Sequence, residues 1–365
     1  MKGRARARVL HCIPSMAGGG AEKQLALLAT ALPAHGWDVD VAILDRGVHL
    51  DRLERSGARL HFIPSSSNYD PLIPLRLGRI MRRVKPDVVQ TWLAQMDVAA
   101  GLAALTRRVP WIVSERSTQA LPPSLKRRVR ETVIGRATAV ISNSEEGLRS
   151  WQSRHPSKPH FYVPNAVALS EIDATPAADL SRFRLTPQTR LVLAASRLVL
   201  PKNLETFRTA MQFVVREVDA VALICGIGPQ REVLLERIAR DEQTGRVVLP
   251  GFVDDMAGWL KAADVMVSVS LFEGRPNAVM EAMACRTPIV VSNIAEHREI
   301  LDETTASFVD PHDAHDIAQA IIQTLRDSDA ARKRAELARR TVDVWTPDAI
   351  AAEYARIYRT LMKKN

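Results

Sequence analysis

A chain of 365 residues, 46% apolar and 25% charged, is long enough to bury two cores and has the composition of an ordinary globular protein. Its three cysteines, Cys12, Cys225 and Cys285, are odd in number, lack metal-ligand spacing and each fall in an apolar element; they read as reduced core residues of a cytosolic protein. Residues 1–170 hold 25 Lys and Arg against 13 Asp and Glu, a net of +12, while residues 171–365 hold 25 against 28, a net of −3. The apolar run at 9–13 is too short for the hydrophobic region of a signal peptide, and no run approaches a membrane span, so a cytoplasmic location is expected.

From Arg8 onward, short β-rich runs alternate with helical patterns. Runs at 9–13, 39–44, 60–63, 88–90, 111–114, 140–142 and 161–163 predict seven strands, with helices near 21–35, 72–85, 94–106, 123–135 and 144–153. The segment 165–188 carries Pro, Ala, Asp and Ser without a sustained period and reads as a linker. The rhythm then restarts, with strands expected at 191–196, 221–225, 247–249, 265–269, 289–291 and 307–309. Such alternation builds right-handed βαβ units. The expected fold class is α/β, two Rossmann-like doubly wound domains facing across a cleft. Domain one is set at 1–166 and domain two at 167–346, and the last helix, 347–365, is expected to pack back on domain one.

Much of the excess positive charge lies in two helical segments, one with Arg76, Arg79, Arg82, Arg83 and Lys85, the other with Lys126, Arg127, Arg128, Arg130 and Arg136. Interleaved Leu75, Leu77, Ile80, Met81, Leu125, Val129 and Val133 give each an apolar face. Such surfaces suit anionic lipid; a solvated helix packed on a sheet is the plainer alternative. Nucleic acid is disfavoured as a partner, because neither basic segment holds Trp, Tyr or Phe.

In open α/β sheets ligands sit beyond the carboxyl ends of the strands. Gly18-Gly19-Gly20-Ala21-Glu22 stands there, past strand one and before a helix. It is not GxGxxG, but three glycines let a ligand approach the backbone, and Glu22 sits where a helix dipole favours an acid. A flexible turn is the alternative. Asp38-Val39-Asp40 looks like a metal-binding DxD but opens strand two at the wrong sheet end, and no metal site is assigned. His11 is expected in the core or on a cleft floor.

Beyond the first strand of domain two stand Arg197 and Lys202, the latter just ahead of a helix. Two fixed cations at a strand end are what a departing diphosphate requires; either alone would be ordinary surface charge, and their company with Glu273 is what strengthens the reading. Gly226-Ile227-Gly228-Pro229 is a tight turn or a ligand wall, and Phe252 and Val253 occupy the next strand-end loop, where a base could lie. The stretch 272–284 opens a helix whose first turn carries Pro276, suited to the N1 position, and the unpaired N–H groups of such a start attract phosphate. Glu273 and Glu281, eight positions apart, are placed to grip two ends of a polyhydroxylated ligand. No HExxH, CxxC, GxSxG or Walker loop is present.

Taken together, 18–22, 163–167, 196–203, 226–229 and above all 273–290 resemble the family-4 retaining glycosyltransferases of the GT-B fold, of the bacterial polysaccharide-biosynthesis type. The resemblance is strong in domain two and loose in domain one, the acceptor side. It implies that Arg197 and Lys202 hold the donor diphosphate, that Glu281 binds ribose hydroxyls and that Glu273 contacts the transferred sugar. The backbone at Pro276, Asn277 and Ala278 would line sugar and phosphates, Gly18 and Gly19 would approach the diphosphate, and the backbone near Val253 would meet the base. Two positions depart from the family pattern. Arg286 replaces the usual glycine after Ala284-Cys285, and Arg116 stands where a sugar-contacting histidine is usual, so Arg116 is carried as a catalytic candidate beside Arg197, Lys202 and Glu273.

The expected mechanism is front-face displacement from a nucleotide sugar, a UDP-sugar first among them, with no cofactor and no metal. The expected acceptor is a glycan or lipid-diphosphate-linked sugar, and the basic domain one would bring the enzyme to the inner membrane face. A nucleotide-sugar epimerase of the same fold and a catalytically silent nucleotide-sugar-binding protein remain as other readings.

Overall fold

Near-continuous apolar runs such as 9–13, in which Val9, Leu10, Cys12 and Ile13 are all fully buried, require cover on both faces of a sheet. The computed structural model describes residues 6–68, 70–116, 125–183, 186, 188–241 and 245–363. It divides into two units, Met1–Ala166 with Trp345–Asn365, and Val167–Val344.

The first unit is built on seven parallel strands: β1 (Ala7–Ser15), β2 (Trp37–Asp45), β3 (Arg59–Phe62), β4 (Val88–Trp92), β5 (Trp111–Glu115), β6 (Ala139–Ser142) and β7 (His160–Tyr162). Their order is β3-β2-β1-β4-β5-β6-β7, which reverses between β1 and β4. The helix Ala94–Arg107 packs so closely that a Cβ on Gly101 would stand 2.4 Å from the Trp111 ring. The last helix, Pro347–Met362, belongs to this unit. It buries Tyr354 and Tyr358, the latter edge-on to Trp37 at 5.0 Å between ring centroids and hydrogen-bonded through its hydroxyl to Gln90 Oε1.

The second unit holds six parallel strands: β8 (Arg190–Ala195), β9 (Ala220–Cys225), β10 (Val247–Gly251), β11 (Val265–Ser268), β12 (Ile289–Ser292) and β13 (Ser307–Val309). Their order, β10-β9-β8-β11-β12-β13, reverses between β8 and β11. Phe207, Met211 and Val214 on one helix and Ile317, Ile321 and Ile322 on another close its core. Among the described residues no helix is long and apolar enough to cross a membrane.

Several expectations need correction. The helix expected over 21–35 ends at Ala31 and continues as a 3-10 turn, Leu32–His35, because Pro33 lacks the N–H that an α-helix would use. The expected linker 165–188 contains a helix, Leu169–Ala174, whose Ile172 is buried, and a 3-10 turn, Ser181–Phe183; residues 184, 185 and 187 lie outside the described residues. The helix expected near 123–135 is described from Leu125 to Ile134, and 123 and 124 lie outside the described residues. Of its apolar positions, Leu125 and Val129 are 75% and 43% exposed, while Val133 and Ile134 are buried. Arg130 turns inward, toward fully buried Asp97.

Candidate active site

Strands β8 and β11 pair at the reversal of the second sheet, so the segments leaving their carboxyl ends run side by side. One carries Arg197 and passes through a 3-10 turn, Leu200–Lys202; the other carries Glu273 and enters the helix Asn277–Cys285. The Leu271 N–H donates to the Pro201 carbonyl at 2.8 Å, and Asn203 Nδ2 donates to the Val269 carbonyl at 3.2 Å. Lys202 Nζ donates to Glu273 Oε1 at 2.5 Å, and Ser270 Oγ donates to the same oxygen at 2.7 Å. Their side chains are only 19% and 11% exposed, so the pair is screened less than a surface ion pair and its geometry is fixed.

Arg197 is exposed on the same loop, and among the described residues no side chain holds its guanidinium. The loop itself is clamped from the β9 side. Gly226 has φ +140, and a Cβ there would stand 1.9 Å from the Ser196 carbonyl oxygen; a Cβ on Gly228 would stand 2.4 Å from that of Leu198. The Leu198 N–H donates to the Ile227 carbonyl at 2.9 Å. These glycines are therefore required by backbone-to-backbone packing under Arg197.

The helix Asn277–Cys285 takes Pro276 as its cap, one position earlier than expected, with φ −79 and ψ 92 and no side-chain cap. Its first N–H groups have no intrahelical acceptors, which is the arrangement that favours phosphate. Glu281 is half-buried inside the helix, and Val253 is half-buried past β10 beside the 37% exposed Phe252. Arg286 ends the helix at φ +59, where glycine would be unstrained, and its Nε lies 3.2 Å from Glu336 Oε2.

In the first unit Gly18 has φ +98 and Gly19 caps the helix Gly20–Ala31. Glu22 folds back over this start, so that a Cβ on Gly19 would stand 2.3 Å from Oε2. The helix thus carries its own carboxylate at its positive end, and any phosphate near Gly18 and Gly19 meets that charge.

Arg116, past β5, donates to Asn165 Oδ1 at 2.8 Å and to the Tyr354 hydroxyl at 2.7 Å, with its guanidinium 4.3 Å from the Trp92 ring centroid. It ties the last helix to the strand ends, a structural role the sequence did not reveal. Glu115 accepts from Trp151 Nε1 at 2.8 Å and from Arg130 at 3.4 Å. Leu93, directly after β4, has φ +69 and ψ 149, which costs a non-glycine residue about 1–3 kcal/mol and commonly marks a working site. A leucine gives no sequence signal of this.

His11 lies inside β1, fully buried, with its Nδ1 accepting from Trp92 Nε1 at 3.1 Å. Burial and the nearby Arg116 push its pKa down to about 3, so the ring is neutral. Asp40 is buried in the sheet, with one oxygen 2.7 Å from Arg59 and the other 2.7 Å from His61.

Comparison with known proteins bears on both units. Residues 18–171 match the family described as Glycosyltransferase Family 4, and residues 189–327 the family described as Glycosyl transferases group 1. The chain is 26% identical to the lipopolysaccharide core biosynthesis glycosyltransferase LpsE of Rhizobium meliloti, over 93% of this chain and 95% of that protein. It is 24% identical to the UDP-Gal:alpha-D-GlcNAc-diphosphoundecaprenol alpha-1,3-galactosyltransferase of Escherichia coli, over 81% of this chain and 82% of that one. Its fold is similar to the crystal structure of Anabaena HepE in complex with UDP and glucose, with a TM-score of 0.83, 19% identity, and coverage of 97% of this chain and 100% of that chain. With two parallel-sheet Rossmann-like units and these matches, the chain belongs to the family-4 glycosyltransferases of the GT-B fold.

Proposed function

We propose that this glycosyltransferase is a retaining enzyme that moves a sugar from a UDP-sugar to a glycan or lipid-diphosphate-linked acceptor in surface polysaccharide synthesis. The observation that carries the reading is the Lys202–Glu273 pair at the reversal of the second sheet, on the segment that leads into the uncapped start of helix Asn277–Cys285. Arg197 and Lys202 take the diphosphate, the backbone at Pro276, Asn277 and Ala278 lines phosphates and sugar, and Glu281 takes the ribose hydroxyls. Glu273 takes the transferred sugar, and the backbone at Val253 meets the base. In the first unit, the acceptor side, Gly18 and Gly19 give a ligand access to backbone and Arg116 frames the acceptor. The UDP in the HepE complex and the UDP-Gal and diphosphoundecaprenol in the Escherichia coli enzyme's name support this choice of donor and acceptor.

In the reaction the acceptor oxygen bonds to the anomeric carbon on the face from which the diphosphate leaves. The carbon–oxygen bond to the diphosphate breaks, and the acceptor's proton passes to the departing phosphate oxygen. Catalysis is then positioning and charge stabilisation by Arg197, Lys202 and the helix start, without a metal. A diphosphate meets the Lys202 ammonium beside Glu273, whose carboxylate stays in place to take the sugar hydroxyls.

A panel of UDP-, GDP- and ADP-sugars tests the donor assignment by melting. A UDP-sugar at a hundredfold its Kd is expected to add about 2.7 kcal/mol of stability. A protein that none of the panel stabilises would defeat the reading.

The same proposal places the enzyme on the inner membrane face. Helix Ile73–Val84 exposes Leu75, Arg79, Arg82 and Arg83, and helix Leu125–Ile134 exposes Leu125, Arg128 and Val129, a mixture of cations and apolar tips suited to anionic lipid. Flotation with vesicles containing anionic lipid, at moderate salt, should carry the protein upward. Equal flotation with neutral vesicles would contradict this placement.

A further inference from the structure

Behind Glu273 lies a buried polar chain that the donor reading leaves unused. Ser270 Oγ donates to Glu273 Oε1 at 2.7 Å, and the Ser270 carbonyl accepts from Ser292 Oγ at 2.6 Å. His297 Nδ1 lies 2.8 Å from the Ser292 carbonyl oxygen and 3.2 Å from its Oγ. Ser270 is 2% exposed, and Ser292 and His297 are fully buried.

A carbonyl oxygen only accepts, so His297 Nδ1 carries the proton. Burial lowers the pKa of the ring, which the fields of Glu273 and Lys202 reach with opposite sign, and the imidazole is neutral. A polar set this dry is costly unless each bond fixes something.

What it fixes follows from the sheet. The backbone ladder between β11 and β12 ends at the pair Ser268 and Val291. From that point the chain leaves the sheet toward Glu273, and the Ser292 Oγ to Ser270 carbonyl bond continues the tie where backbone bonds stop. His297, on the short helix Ala295–Arg298, holds Ser292 from the far side.

We infer that Ser270, Ser292 and His297 are positioning residues for Glu273, fixing its Oε1 so that Lys202 is held where a diphosphate meets it. This rests on the reading of Glu273 and Lys202 as donor-contacting residues.

The test is a double-mutant cycle in turnover, using whichever of the UDP-, GDP- and ADP-sugars stabilises the protein most. Ser270→Ala and His297→Ala are each expected to lower kcat about tenfold, equal to about 1.4 kcal/mol. His297→Asn, whose side-chain N–H can still donate to the Ser292 carbonyl, is expected to recover most of that loss. In a Glu273→Gln background, itself impaired, Ser270→Ala and His297→Ala are expected to add less than a further twofold. Should His297→Ala fail to fold, Ser270→Ala alone completes the cycle. The same tenfold loss in both backgrounds would overturn the inference while leaving the donor reading intact. Wild-type turnover in Glu273→Gln would instead remove the donor reading, and the positioning role with it.

Discussion

Arg197→Ala and Lys202→Ala are each expected to lower kcat by about one to two orders of magnitude while leaving the protein folded. A charge-assisted hydrogen bond contributes about 1.5–3 kcal/mol, and about 1.4 kcal/mol is tenfold in rate when the bond strengthens only as the diphosphate departs. Arg197 is exposed, with no side-chain partner among the described residues, so its removal should change stability by less than about 0.5 kcal/mol. Lys202→Ala withdraws the cation from an 11% exposed Glu273 and should cost more stability than Arg197→Ala. The two variants therefore differ in melting but agree in turnover. Near-wild-type kcat in either would remove the proposed charge stabilisation.

Arg130→Ala is expected to destabilise the first unit by about 3–5 kcal/mol, which for a unit of this size lowers the melting temperature by roughly 10 °C. Asp97 is fully buried, and Arg130 meets one of its oxygens at 2.7 Å; Thr91 Oγ1 donates to the other at 2.6 Å. The same guanidinium reaches Glu115 at 3.4 Å, and Glu115 also accepts from Trp151. Removing the cation strands a buried carboxylate, which costs far more than the loss of a surface charge. Arg128→Ala, two positions away and exposed, should shift melting by no more than about 1 °C. Equal shifts in the two variants would show that Arg130 is ordinary surface charge.

That contrast marks where sequence reading stops. The strands of both sheets were legible because a buried parallel strand is a continuous apolar run, and runs such as 220–225 and 289–291 have no other use. Short helices such as Leu50–Arg55 and Leu169–Ala174 were not, because six residues are too few to show a helical period. The inward turn of Arg130 on helix Leu125–Ile134 was not legible, because its partner Asp97 is fully buried and distant in sequence.

The donor-side candidates stood out because each follows a strand, and the order of the second sheet then brings the segments after β8 and β11 together. The buried tie through Ser292 and His297 left no trace in the sequence: a serine at a strand end and a histidine five residues later in the chain have no spacing that predicts a shared hydrogen bond. Leu93 is similar, since its strain lies in the backbone and its side chain announces nothing.

The central claim, transfer of a sugar with its anomeric configuration kept, is tested most directly by incubating the protein with a UDP-sugar and a lipid-diphosphate-linked sugar acceptor. UDP release is measured together with the anomeric configuration of the new linkage by NMR. The account predicts one UDP released for each linkage formed, and the same anomeric configuration in donor and product. Inversion at the anomeric carbon would contradict the front-face mechanism, and binding of the UDP-sugar without transfer to any glycan or lipid-linked acceptor would contradict the proposed reaction.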